Sequence, residues 1–172
     1  MITKHALRDR WKALKSLDDA PKEARRKRGY EFEKLLFDLL ALEGLELARP
    51  YRSLGEQIDG LIEFNGRFFL VETKWHTEPL PASEIYQLRA KVEGKFVGTC
   101  GIFVSVSGVS KYAVDALKYG KTLNILLFDG EDIELALLDE YSFSDILRVK
   151  LRRAAQYGTI DYAYAFHLQQ EP

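Results

Sequence analysis

Three charged residues stand where they can converge. The stretch Gln57–Trp75 reads QIDGLIEFNGRFFLVETKW, two strand-like runs joined by Asn65-Gly66. Asn-Gly suits a two-residue hairpin turn, because both positions accept positive φ. A direct turn sets Phe64 opposite Arg67, and stepping outward along the two runs brings Asp59 opposite Glu72. Side chains alternate along a strand, so Lys74 projects from the same face as Glu72. Facing carboxylates with Cβ atoms about 4.5–5.5 Å apart repel one another. A bound cation reverses that sign. Two hard oxygen ligands beside an ammonium fit a Mg²⁺ site for phosphodiester chemistry, with Mn²⁺ as a substitute.

In that chemistry Asp59 and Glu72 hold the metal, which acts as a Lewis acid and activates water. Lys74 positions the water and offsets charge developing on the scissile phosphate. The competing reading is a surface salt bridge between Lys74 and one acid, which is common and weak. Glu33, on the helix before the hairpin, is a candidate third ligand or a group that orients a water. Its alternative is an N-terminal charge favoured by the helix dipole. Gln87, on the helix after the hairpin, either faces the site as an accessory group or lies on the surface. Other chemistries lack their residues. His5, His76 and His167 are scattered with Cys100 as the sole cysteine, and GxSxG, GxxxxGK[ST] and GxGxxG motifs are missing.

The elements that position these groups follow from periodicity. Leu7, Trp11, Leu14 and Leu17 predict a helix over about Lys4 to Leu17, and Pro21 interrupts it. A second helix runs from Lys22 or Gly29 to Glu43, burying Phe32, Leu35, Leu36, Leu39 and Leu40, with Gly44 after its end. Glu33 lies at the margin of that stripe, and Glu31 on the polar side. Leu45 to Ser53 reads as one strand. In the hairpin, Ile58, Ile62, Phe64, Phe69 and Val71 share a core face, while Leu61 and Leu70 line the other beside the charges, so both faces are covered. Ser83 caps a helix to Val92. Gly101–Val106, Lys111–Tyr119 and Leu123–Phe128 form a strand–helix–strand crossover, which requires parallel pairing. A short helix covers Glu131 to Leu138, and a basic helix runs from Ser144 to Tyr157. In the tail, Ile160, Tyr162, Tyr164, Phe166 and Leu168 alternate as in a strand, paired with a sheet edge of the same chain or with a second copy.

With 172 residues and 47% hydrophobic content, the chain suits one domain with a sizeable core. One cysteine permits no intrachain disulfide, and the charged N-terminus has no signal-peptide core, which together predict a cytoplasmic protein. A net charge of −1 leaves nucleic-acid binding to local patches. Two clusters are candidates for DNA contact. The first is Lys22, Arg25, Arg26, Lys27 and Arg28; the second is Arg148, Lys150, Arg152 and Arg153. Solvated helix faces are the alternative for each.

Five segments in order, GYEFEKLLFDLLALEGLE, QIDGLIEF, FFLVETKW, GIFVSVSGVSKYAVDAL and LNILLFDGEDI, resemble the catalytic domain of Mrr-like restriction endonucleases in the PD-(D/E)XK nuclease superfamily. The resemblance covers Gly29 to Leu138. It implies an α/β fold, a restriction-endonuclease-like mixed β-sheet combining an antiparallel hairpin with parallel crossover strands, flanked by helices in an αβββαβα-type core. It places Asp59, Glu72 and Lys74 in the family's catalytic positions, and Phe32-Glu33 matches its helix-borne acid. Ile58 stands where the superfamily motif has proline. A separate DNA-recognition domain is not evident, so targeting falls to DNA structure or a partner protein.

The expected organisation is a basic helical extension over 1–28, a nuclease core over 29–139, and a basic helix with a strand-like tail over 140–172 packed on the core or on a second subunit. The expected activity is Mg²⁺-dependent cleavage of double-stranded DNA in restriction and defence, by a homodimer, with no membrane association. A junction-resolving or repair nuclease on the same scaffold is the alternative enzyme. A catalytically idle DNA-binding or assembly subunit is the alternative of another class.

Overall fold

The computed structural model describes residues 2–53, 55–120 and 122–170. Its centre is a five-stranded mixed sheet in the order β1-β4-β5-β6-β7. These strands are β1 (Glu46–Ala48), β4 (Gly60–Phe64), β5 (Arg67–Lys74), β6 (Cys100–Ser105) and β7 (Ile125–Phe128). β1, β4 and β5 pair antiparallel, whereas β5, β6 and β7 run parallel. The hairpin register matches the sequence expectation, with Phe64 facing Arg67 and Gly60 facing Val71. Asn65 (φ 53°) and Gly66 (φ 74°) form the turn in the left-handed region that a primed turn demands.

Strong alternation is missing from β5 to β7 because both sheet faces are buried. On one face Phe69, Val71, Ile102, Val104, Leu126 and Phe128 meet the helices α1 (Lys4–Lys15), α2 (Lys22–Leu42), α5 (Gly130–Ala136) and α6 (Phe143–Tyr157). On the other, Leu70, Phe103, Ile125 and Leu127 meet α3 (Ala82–Glu93) and α4 (Lys111–Lys118). The crossovers through α3 and α4 bring the carboxyl ends of β5, β6 and β7 to one edge, where open α/β sheets build their crevices. Helix α1 belongs to the core: Leu7, Trp11 and Leu14 are buried in the same cluster as α2. Trp11, Phe32 and Trp75 pack with ring centroids 5.1–5.8 Å apart. Each such pair contributes about 0.5–1.5 kcal/mol beyond its buried area.

Four expectations are corrected. The strand over Leu45 to Ser53 is split at Pro50, which has no N–H to continue a ladder. Its second half, β2 (Tyr51–Ser53), pairs with β3 (Glu56–Ile58) in a separate two-stranded sheet. Because the chain breaks between β3 and β4 at Asp59, Ile58 lies in the α3 and α4 cluster, away from Ile62, Phe64, Phe69 and Val71. The helix caps also shift: α3 begins after Pro81, without a side-chain cap from Ser83, and α6 is capped by Ser142.

The tail is the fourth. It is no strand: Tyr164–Gln170 is a helix, α7. Before it the chain bends at Ile160 and Asp161, and the Leu127 amide donates to Ile160 O on the β7 edge. Lys150 then donates to the Tyr162 carbonyl, and Asp132 accepts from the Tyr164 amide, so the described tail is fastened to its own chain. Among the described residues, no helix is long and apolar enough to cross a membrane.

Candidate active site

The site forms where α2 crosses the end of the β4–β5 hairpin, and a glycine permits that crossing. A Cβ at Gly60 would lie 2.1 Å from the Phe37 ring and 2.9 Å from the Ala48 carbonyl oxygen. No side chain fits. Gly60 lets α2 press onto β4, and Glu33, one helical turn before Phe37, is thereby carried to Asp59.

Asp59 belongs to no strand, since regular pairing stops at Gly60–Val71. Its buried carboxylate turns to accept from the Thr73 amide at 2.9 Å and lies 3.4 Å from the Thr73 hydroxyl. The expected face-to-face pair with Glu72 is corrected in this detail. The two acids are neighbours electrostatically rather than ladder partners. Burial, followed by the charge of Glu72, raises the Asp59 pKa; the Thr73 amide, Lys74 and Lys91 oppose the rise. Glu33 is pushed up to about 7 by burial first, then by Asp59 and Glu72, with Lys74 opposing. Three acids and two lysines therefore share one electrostatic neighbourhood.

Each Glu72 oxygen meets an ammonium. Oε1 lies 3.6 Å from Lys74 Nζ, and Oε2 accepts from Lys91 Nζ at 2.8 Å. Lys91 also donates to the Gln57 carbonyl at 2.7 Å. Lys91 was not among the residues expected from sequence, because its position depends on how α3 lies over β5. The spacing of the buried Ile85, Leu88 and Val92 sets that face and was the available signal. Gln87, one turn earlier on the helix than Lys91, is exposed and lines no part of the cleft, which is the surface placement of the two readings offered for it.

A cleft of about 530 Å³ opens beside Glu72, with Glu33, Asp59 and Lys74 in its wall next to Gln57 and His76. Lys22, Arg25, Arg26 and the exposed Tyr30 from the start of α2 form its rim. Lys27 is exposed outside the cleft lining. Arg28 requires correction as a surface contact: it is 1% exposed, paired with Asp18, and its guanidinium lies 4.6 Å from the Trp75 ring centroid. It lines the cleft as a buried, paired cation beside Trp75.

The C-terminal cluster does not join the cleft. Lys150 is 1% exposed and paired with Asp132 at 2.7 Å, so burial removes it from the expected DNA-contacting surface. Arg148 pairs with Asp145, and Arg153 donates to Tyr162 and Gln170. Arg152 is exposed.

The donor set suits a hard divalent cation. It includes Glu33 and Asp59, whose protonation is favoured first by burial and then by neighbouring carboxylates, a condition that a cation relieves. Among the described residues, no three Asp, Glu, His or Cys side chains already stand as a metal-holding group. Glu72 is not among the cleft-lining residues.

The family of restriction endonucleases described as Mrr_cat matches residues 24–137, well over half of the chain. The chain belongs to this family. The Mrr_cat match spans α2 through α5 and so contains Glu33, Asp59, Glu72, Lys74 and Lys91. It makes this a restriction endonuclease-type nuclease domain. Among solved structures, the domain is similar to a protein of unknown function, AF1548, at 20% identity and a TM-score of 0.45, covering 69% of this chain and 64% of that one. It is similar to the DNA modification-dependent restriction endonuclease AspBHI at 18% identity and a TM-score of 0.49, covering 86% of this chain and 40% of AspBHI. It is also similar to the MspJI restriction endonuclease, solved with a 27-mer oligonucleotide, at 16% identity and a TM-score of 0.46, covering 86% of this chain and 36% of MspJI. The chain thus spans about two fifths or less of either restriction enzyme. No curated protein matches it.

Proposed function

We propose that this domain is a divalent-metal-dependent endonuclease that hydrolyses phosphodiester bonds of double-stranded DNA in restriction. The observation that carries this reading is the junction of Asp59, Glu33 and Lys74 in a cleft whose rim is basic. Burial first, and then neighbouring carboxylate charge, raises the pKa of both Glu33 and Asp59, which makes a poor resting arrangement and a good cation site.

Asp59, Glu72 and Glu33 would hold the cation, Mg²⁺ or Mn²⁺. When bound, it supplies Lewis-acid stabilisation of the phosphoryl oxygens and activation of water. The Thr73 amide fixes the Asp59 carboxylate, so one ligand is oriented before metal arrives. Lys74 offers its ammonium to the nonbridging oxygens, where negative charge grows in the transition state, and orients the attacking water. Lys22, Arg25 and Arg26 track the phosphate backbone at the rim, and Tyr30 presents an exposed ring beside them. Cutting both strands with one site per chain calls for two copies, which makes a symmetric homodimer the working assembly.

The test is incubation of the full chain with supercoiled and linear DNA and Mg²⁺ or Mn²⁺, beside Asp59→Ala and Lys74→Ala. The wild type cuts and both variants fail. Cleavage that survives both substitutions removes the mechanism, and folded wild type that cuts neither DNA nor RNA removes the activity.

A further inference from the structure

We propose that Lys91 is a displaceable counter-ion of the metal centre: it holds Glu72 in the metal-free protein and competes with a divalent cation for Oε2. This inference rests on the reading of Asp59, Glu72 and Glu33 as the metal site.

The geometry distinguishes the two lysines on Glu72. Lys74 Nζ stands 3.6 Å from Oε1, beyond hydrogen-bond length, whereas Lys91 Nζ stands 2.8 Å from Oε2 in a full charge-assisted bond. Lys91 is the better shielded, with its side chain 16% exposed against 35% for Lys74. Glu72 therefore already has its charge matched, on the oxygen pointing at α3. A divalent cation at that oxygen competes with the ammonium, because two positive centres within a few ångströms repel strongly where water is scarce. The cation binds more tightly once the ammonium has moved away.

Lys91 has somewhere to go. Its second bond, 2.7 Å to the Gln57 carbonyl, ends on β3 two residues before Asp59, and Gln57 lines the cleft. Rotation about the lysine stem can break the Glu72 bond while that carbonyl keeps the ammonium. The buried Leu88 and Val92 hold α3 in place during the exchange. The released Glu72 can then turn from α3 toward Asp59 and Glu33 and complete the ligand set. Lys91 thus stabilises the metal-free acid cluster and weakens metal binding by the same interaction, as a competitor for one ligand must.

The experiment is calorimetric titration of the full chain with Mn²⁺, without DNA, comparing wild type, Lys91→Met and Lys91→Gln. Met keeps the aliphatic stem, and Gln keeps a donor for the Gln57 carbonyl should Met fail to fold. Removing the ammonium is expected to tighten Mn²⁺ binding at least ~5-fold. It should also enlarge the rise in melting temperature that saturating Mn²⁺ produces, since tighter binding to the folded state raises it further. Equal or weaker affinity in the folded variants, with wild type binding, overturns the role of Lys91 alone. No binding by wild type or variants overturns the metal site itself and this inference with it.

Discussion

Two lysine–carboxylate clusters lie at the same edge of the sheet and are built to opposite ends. Lys150 and Asp132 are both 2% exposed, 2.7 Å apart, and satisfied on every side. Lys150 also donates to the Leu127 and Tyr162 carbonyls, while Asp132 accepts from the Asp129 and Tyr164 amides. That pair seals α5, α6, β7 and the tail together. The Glu72 cluster has the same chemistry and a different balance. Two lysines serve three acids, Lys74 remains 35% exposed, and a cleft opens over Asp59 and Glu33. A buried pair whose bonds are complete is structure. Acids left in surplus beside an opening are the arrangement we propose as a cation site.

The largest effects should separate the clusters by what they damage. Asp59→Ala should reduce DNA cleavage by at least ~10³-fold, corresponding to about 4 kcal/mol of lost transition-state stabilisation, in protein with an unchanged far-ultraviolet spectrum. Plasmid nicking rates measure the loss. Lys150→Met should do the reverse. It leaves Asp132 buried and unpaired, which costs about 3–5 kcal/mol in urea unfolding, while folded protein keeps its cleavage rate. A Lys150→Met enzyme that folds normally but cannot cut would erase the distinction.

Glu33 should give a smaller, pH-dependent effect. Its folded pKa is raised from 4.5 to about 7, so the folded state holds the proton more tightly than the unfolded state. The resulting stability is fully present below pH 4.5 and is lost as pH rises to about 7. Glu33→Gln should flatten that fall in the denaturant midpoint measured across the window. The smallest effect belongs to the rim. Replacing Lys22, Arg25 and Arg26 with Ala should weaken DNA binding and lower the slope of log K against log salt by about 0.9 for each phosphate left without its cation. Neutralising Arg148 and Arg152 should leave the slope unchanged.

How much of the molecule was legible in the sequence follows from how local each determinant is. Asn65-Gly66 pins the hairpin, so the pairing from Phe64–Arg67 to Gly60–Val71 was legible from the sequence. One residue further, Asp59 leaves the ladder for the Thr73 amide, a choice made by the split between β3 and β4. Glu33 was legible from its place at the edge of the α2 stripe. Its approach to Asp59 was not, because it depends on Phe37 seating over Gly60. Charge alone misled for Arg28 and Lys150, whose partners Asp18 and Asp132 lie 10 and 18 residues away and bury them in separate ways. The tail misled because its alternating apolar residues form no strand: the chain bends at Ile160 and Asp161. Beyond Ala163 the chain coils into α7, and Tyr164 is that helix's one buried residue.

We propose that these acids hold a divalent cation for DNA cleavage. The most direct test is metal-stripped protein on supercoiled plasmid, with Mg²⁺ restored by titration, for wild type and Glu72→Ala. The expected result is no cutting in chelator, saturable cutting by the wild type as Mg²⁺ rises, and none by Glu72→Ala at any concentration. Cleavage in chelator, or by Glu72→Ala at the wild-type rate, would contradict it.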